Sequence, residues 1–93
     1  MTRQYLVGEM SALLAELCPP AEPRLAEELT DLRRQVETGS PAGLADIVER
    51  ALTLADCTCW SAIDAGNLIA FQRQAAAAEH LSDFAVAAGM RTD

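Results

Sequence analysis

Residues 17–23 read LCPPAEP, and this proline-rich stretch separates two regions with helical patterns. A proline has no backbone N–H and disfavours helical geometry in the residue before it, so Pro19 and Pro20 end the first helix. Pro23 stands in the first turn of the next helix, where an N–H would have no intrahelical acceptor. The stretch therefore predicts helices over residues 2–18 and 22–38, joined by a short connection.

Both of these helices carry an apolar stripe at the three- and four-residue spacing of a core-facing helix. In the first helix the stripe consists of Leu6, Val7, Met10, Leu13, Leu14 and Leu17. In the second helix it consists of Leu25, Leu29, Leu32 and Val36, while Arg33 and its charged neighbours are expected to face water. Each helix therefore has one face to bury against the others.

The next joint, residues 38–41 (TGSP), is equally short. Gly39 is suited to a left-handed helix end, and Ser40 followed by Pro41 is suited to a helix start. Two helices with so tight a connection run antiparallel. A third helix is therefore predicted to begin at residue 41 and to return along the second.

The end of this third helix is ambiguous. Ser61 followed by Asp64 resembles a capping box and predicts a break at the preceding residue, Trp60. That interpretation gives helices over residues 41–59 and 62–88. We favour it because the third helix then has a length close to that of the first two.

In the alternative interpretation the third helix continues to Ala65, Gly66 caps it, and Asn67 begins the last helix. Both versions predict an all-α protein of one domain, residues 1–93, folded as a small antiparallel, up-and-down four-helix bundle. Whether helices 3 and 4 are separate, continuous or kinked stays open at this point.

Composition excludes several functions. The 93 residues carry a net charge of −7 and contain no lysine, so phosphate-binding lysines and Schiff-base chemistry are excluded. The acidic balance argues against nucleic acid and anionic membranes as partners. No apolar run reaches the length of a membrane span, and the first ten residues do not resemble a secretory signal. With three cysteines, an odd number, these features predict a cytoplasmic protein.

The cysteines are weak candidates for a site. Cys57 and Cys59 lie about 200° apart around a helix, so they cannot share a metal unless the backbone leaves the helix there. An up-and-down bundle places Cys18 at the same pole, where Asp56 or Asp64 would be a fourth ligand. We favour structural roles over a zinc site or a redox pair, because cysteine is commonly a small buried apolar residue.

No catalytic constellation is apparent, and neither an enzyme nor a cofactor is predicted. His80 is the only histidine, and it lies about 27 Å along helix 4 from Ala62, far from the cysteines. Its expected neighbour is the carboxylate of Asp83, one turn away on the same helix surface.

Surplus apolar surface is the strongest functional signal. Leu68, Ile69 and Val86 fall outside the main apolar face of helix 4, and Trp60 lies about 160° from the core side of helix 3 if that helix continues. If the helix breaks instead, Trp60 covers the end of the bundle. We therefore predict a non-catalytic interaction module that forms a homo-oligomer or binds another protein. The alternatives are a thiol-redox or metal sensor, and a binder of small apolar ligands.

Overall fold

The computed structural model describes residues 2–38 and 41–91, with side chains from residue 43 onward in the second of these ranges. It contains four helices: α1 (Arg3–Glu16), α2 (Pro23–Val36), α3 (Pro41–Asp64) and α4 (Leu68–Ala87). No strand occurs in these two ranges. The predicted all-α fold is confirmed.

The helices pack as a ring. Each helix contacts the next one along the chain, and α4 packs back against α1, with the most extensive contact between α3 and α4. The core lies on the ring axis. Its largest fully buried apolar side chains are those of Met10, Leu14, Leu29, Leu32, Leu44, Leu81, Val36 and Val48. The members on α1 and α2 all belong to the stripes that helical periodicity predicts.

The joint between α1 and α2 is held by an arginine. α1 ends at Glu16, where the chain turns extended at Leu17 ahead of the two prolines. The guanidinium of Arg33 donates hydrogen bonds of 3.0–3.2 Å to the carbonyl oxygens of Leu14 and Leu17. The Leu14 carbonyl also accepts the N–H of Leu17 at 3.3 Å. Both carbonyls lie at the C-terminal end of α1, the negative end of its dipole. The prediction that Arg33 faces water is therefore wrong, because the end of α1 attracts it.

The predicted break of α3 at Trp60 is also wrong. The helix continues through Ser61 to Asp64. Gly66 then takes a left-handed φ of +71°. The N–H of Gly66 donates to the carbonyl of Ile63 at 3.0 Å, and the N–H of Asn67 donates to that of Ala62 at 2.9 Å. This pair of bonds is a Schellman ending, which satisfies the last carbonyls of a helix.

Asn67 begins α4, as the alternative interpretation of the sequence expected. Its side chain accepts a hydrogen bond of 3.0 Å from the N–H of Ala70. Ser61, in contrast, is an exposed residue inside α3. The capping-box resemblance misled because a break at Ser61 would leave helical hydrogen bonds unmade. Gly66 and Asn67, five and six residues later, end one helix and start another without that cost.

The helices differ in length, and this shapes the molecule. α1 and α2 have 14 residues each, and α3 has 24. At 1.5 Å per residue the two short helices span about 21 Å and α3 about 36 Å. The longest dimension of the molecule is 41 Å. The hairpin of α3 and α4 therefore extends beyond the pole formed by the end of α1 and the start of α2.

Candidate functional site

The protruding end of the α3–α4 hairpin, residues 60–73, is the candidate site and is called the hairpin tip below. No residue in the tip is buried. The nearest buried residues on either side are Ala55 in α3 and Gln74 in α4. The tip is thus a two-helix projection that the rest of the fold does not cover.

The tip concentrates exposed apolar side chains. The exposed fractions are 62% for Trp60, 41% for Ile63, 66% for Leu68 and 72% for Ile69. Only Tyr5 and Val86, among the other described residues, are large apolar side chains with comparable exposure. Trp60 and Ile63 are neighbours on one helix surface. A three-residue turn after α3 leads directly into Leu68 and Ile69, the first two residues of α4. An exposed apolar cluster of this kind is typical of an interaction surface.

Val86 lies apart from this cluster. It is exposed, as its position outside the apolar face of α4 predicts. Seventeen residues separate it from Ile69, which corresponds to about 26 Å along the helix. The four predicted interface residues therefore divide into three at the tip and one near the opposite pole.

The tip has no net charge. Its only ionisable acid and base are Asp64 and Arg73, although the whole chain carries 7 basic and 14 acidic residues. In the part of the chain that the structure describes, neither Asp64 nor Arg73 forms an ion pair. The surplus of seven negative charges therefore lies entirely outside the tip.

A buried amide marks the base of the tip. Gln74 is 1% exposed. Its side-chain oxygen accepts a hydrogen bond of 2.7 Å from the N–H of Cys18, and its side-chain nitrogen donates to the carbonyl of Cys18 at 3.3 Å. Both bonds fix the connection after α1 against α4. Sequence reasoning missed Gln74, but its spacing of three and seven residues before Ala77 and Leu81 places it on the buried face.

The three candidate cysteines differ in their exposure. All three are free thiols: Cys18 and Cys59 are half-buried and Cys57 is exposed. No group of three or more His, Cys, Asp and Glu side chains is arranged to hold a metal ion within residues 2–38 and 41–91.

The environment of Cys59 affects the pKa of its thiol. Burial raises this pKa above its ordinary value, and the negative charge of Asp56 and the nearby thiol of Cys18 raise it further. A raised pKa lowers the fraction of reactive thiolate at neutral pH. Cys59 is therefore a poorer nucleophile than an ordinary exposed cysteine.

Two further polar features involve α4: a contact between His80 and α1, and a groove between α3 and α4. The Nδ1 atom of His80 lies 3.5 Å from a carboxylate oxygen of Glu16 on α1, and both side chains are exposed. A groove of about 430 Å³ between α3 and α4 is lined by Glu49, Ser82 and Arg91 among others. The Nε atom of Arg91 lies 2.8 Å from a carboxylate oxygen of Glu49. The His80–Glu16 contact joins two exposed side chains, and contacts of this kind contribute little to stability.

No family model, curated protein or solved structure matches this chain. Among the described residues, no helix has both the length and the apolar character that a membrane crossing requires.

Proposed function

We propose that this protein is a non-catalytic helical interaction module that self-associates through the hairpin tip. The observation that carries the proposal is the clustering of Trp60, Ile63, Leu68 and Ile69 on a projection without net charge. Tryptophan is enriched among the few residues that supply most of the binding energy at protein interfaces, and the three aliphatic side chains add apolar area that a partner would bury.

The expected affinity follows from the exposed area. Fully burying such a side chain contributes about 1.5–3 kcal/mol, so the exposed fractions of these four give roughly 4–7 kcal/mol per copy. Two copies together gain roughly 8–14 kcal/mol, against about 4–15 kcal/mol for lost translational and rotational freedom. These terms nearly balance. A weak, reversible complex is therefore expected rather than an obligate one.

The polar groups support a non-catalytic role. The single histidine is an exposed residue beside a carboxylate, and the chain has no lysine. The alternative thiol-sensor function has less support, because the pKa of the Cys59 thiol is raised, which lowers its fraction of reactive thiolate.

Sedimentation velocity over a concentration series up to about 1 mM, where even a complex worth −4.1 kcal/mol is half formed, tests the proposal. The wild-type protein is expected to sediment as a concentration-dependent dimer. Ile69→Gln, which replaces the most exposed apolar side chain of the tip, is expected to weaken dimerisation at least tenfold, because roughly 1.4 kcal/mol of burial is lost.

Tyr5→Gln is the matched control, since it removes an exposed aromatic residue on α1 outside the tip. It should leave the dimer unchanged. A second variant, Val86→Gln, tests whether Val86, the predicted interface residue that lies outside the tip, also takes part in dimerisation. A wild-type protein that stays monomeric throughout the series would overturn the proposal of self-association.

A further inference from the structure

The charge distribution restricts how two copies can meet. Each copy carries seven surplus negative charges, all of them outside the hairpin tip. The part of each copy outside the tip, called the acidic body below, repels that of a second copy at short range. The repulsion falls off over a Debye length of about 8 Å at physiological ionic strength. The tips are the parts of two copies that approach without this penalty. Contact through the tips also holds the acidic bodies apart.

We propose that a second copy of the chain docks antiparallel against the tip, so that Arg73 of each copy pairs with Asp64 of the other. The inference rests on the proposed function and specifies its geometry. Asp64 lies at the far end of the hairpin, next to the turn, and Arg73 lies about 7.5 Å back along α4 from Leu68. Trp60 lies about 6 Å back along α3 from Asp64. In an antiparallel overlap the far end of one tip therefore meets the base of the other.

This arrangement matches apolar groups as well as charges. The overlap brings Trp60 of each copy to the level of Leu68 in the other, so the largest exposed ring faces an exposed leucine. The two hairpins then form an intermolecular four-helix contact with two-fold symmetry, in which each pairing occurs twice. A parallel dimer would instead place each Asp64 beside its symmetry mate, and both acidic bodies side by side. Like charges in that position are unfavourable.

Charge reversal at the two positions tests the arrangement. Arg73→Glu and Asp64→Arg each replace two attractive contacts by two repulsive ones, and each is expected to weaken dimerisation on the order of tenfold. The double variant R73E/D64R restores both pairs with the charges exchanged. An equimolar mixture of the two single variants is also expected to regain the wild-type association constant, because the mixed dimer contains two complementary pairs.

Matched controls reverse the same charges elsewhere. Arg24→Glu on α2 and Asp83→Arg on α4 change the net charge by the same amounts at exposed positions outside the tip. Sedimentation equilibrium measures all association constants, and far-UV circular dichroism confirms that each variant is folded.

Loss of dimer in both tip variants, with recovery in the double variant and in the mixture, supports the antiparallel arrangement. If the wild type dimerises but the tip variants behave like the controls, or the exchanged charges do not restore association, this arrangement is wrong while self-association stands. A wild-type protein that stays monomeric would overturn both proposals, and a different protein would then be the expected partner of the tip.

Discussion

The two ends of the α3–α4 hairpin are built from the same helices but differ in what covers them. At the inner end, Leu44 and Val48 of α3 and Leu81 of α4 are fully buried. At the tip, Leu68 and Ile69 of the same α4 face water. Both ends are rich in large apolar residues, so composition does not distinguish them. The difference arises because α1 and α2 are too short to reach the tip.

The largest expected effect comes from truncating a leucine at each end. Leu81→Ala should lower the free energy of unfolding by about 2–5 kcal/mol, because it opens a cavity in a packed core. Leu68→Ala, the matched change at the tip, should alter it by no more than about 0.5 kcal/mol. Urea denaturation, at a protein concentration low enough to keep the chain monomeric, measures both free energies of unfolding. Equal losses would show that the tip is packed after all.

The junction between the two ends depends on Gln74. Gln74→Ala leaves the half-buried N–H and carbonyl of Cys18 without their partner, at an expected cost of about 1–3 kcal/mol in unfolding free energy. Gln72→Ala removes an exposed amide from the same helix and should have little effect. Thermal denaturation followed by circular dichroism distinguishes the two variants, and a neutral Gln74→Ala would rule out the proposed tether.

Substitution of a glycine, in the turn at the tip or inside α1, should change the stability by a smaller amount. Gly66 has a left-handed φ of +71°, so Gly66→Ala is expected to destabilise the protein by about 1–2 kcal/mol. Gly8 lies inside α1 with open space around it. Gly8→Ala should therefore stabilise the protein by about 0.5–1 kcal/mol. Opposite signs in the two denaturation midpoints are the expected result.

The smallest expected effect concerns the thiol beside the tip. Because the folded-state pKa of Cys59 is raised, the thiolate forms at higher pH in the folded protein than in the unfolded chain. The stability that Cys59 contributes is present below the pKa of its thiol in the unfolded chain. It is lost as the pH rises through the pKa of the same thiol in the folded protein. The pH profile of Cys59 alkylation in the Cys57→Ser variant should shift to lower pH in urea. An unchanged profile would contradict the burial of this thiol.

Local signals in the sequence account for most helix boundaries. Pro19 and Pro20 mark the end of α1, and Pro23 marks the start of α2, because proline acts on the backbone of its immediate neighbours. The end of α3 was mispredicted because two local signals compete there, and the weaker one, at Ser61, comes first along the chain. Only the hydrogen bonds around Gly66 decide between them.

Tertiary partners are harder to predict. Arg33 and Gln74 are polar residues whose partners are backbone groups of another segment, 16 or more residues away. Helical spacing locates the face on which each lies, but it does not identify the carbonyl or N–H that it meets. The candidate site shows the same limit. Periodicity places Leu68 and Ile69 outside the packed face, whereas the protrusion of the tip depends on the relative lengths of helices that pack side by side.

The position of Trp60 has a practical consequence for spectroscopy. It is the only tryptophan in the chain, and it lies on the outer end of the molecule rather than among the core leucines. Its emission in a monomer should already resemble that of a solvated indole, so loss of the core would change the signal very little. A melting curve recorded by intrinsic fluorescence would then appear nearly flat for a protein that unfolds cooperatively, and the backbone amide signal is the one to follow.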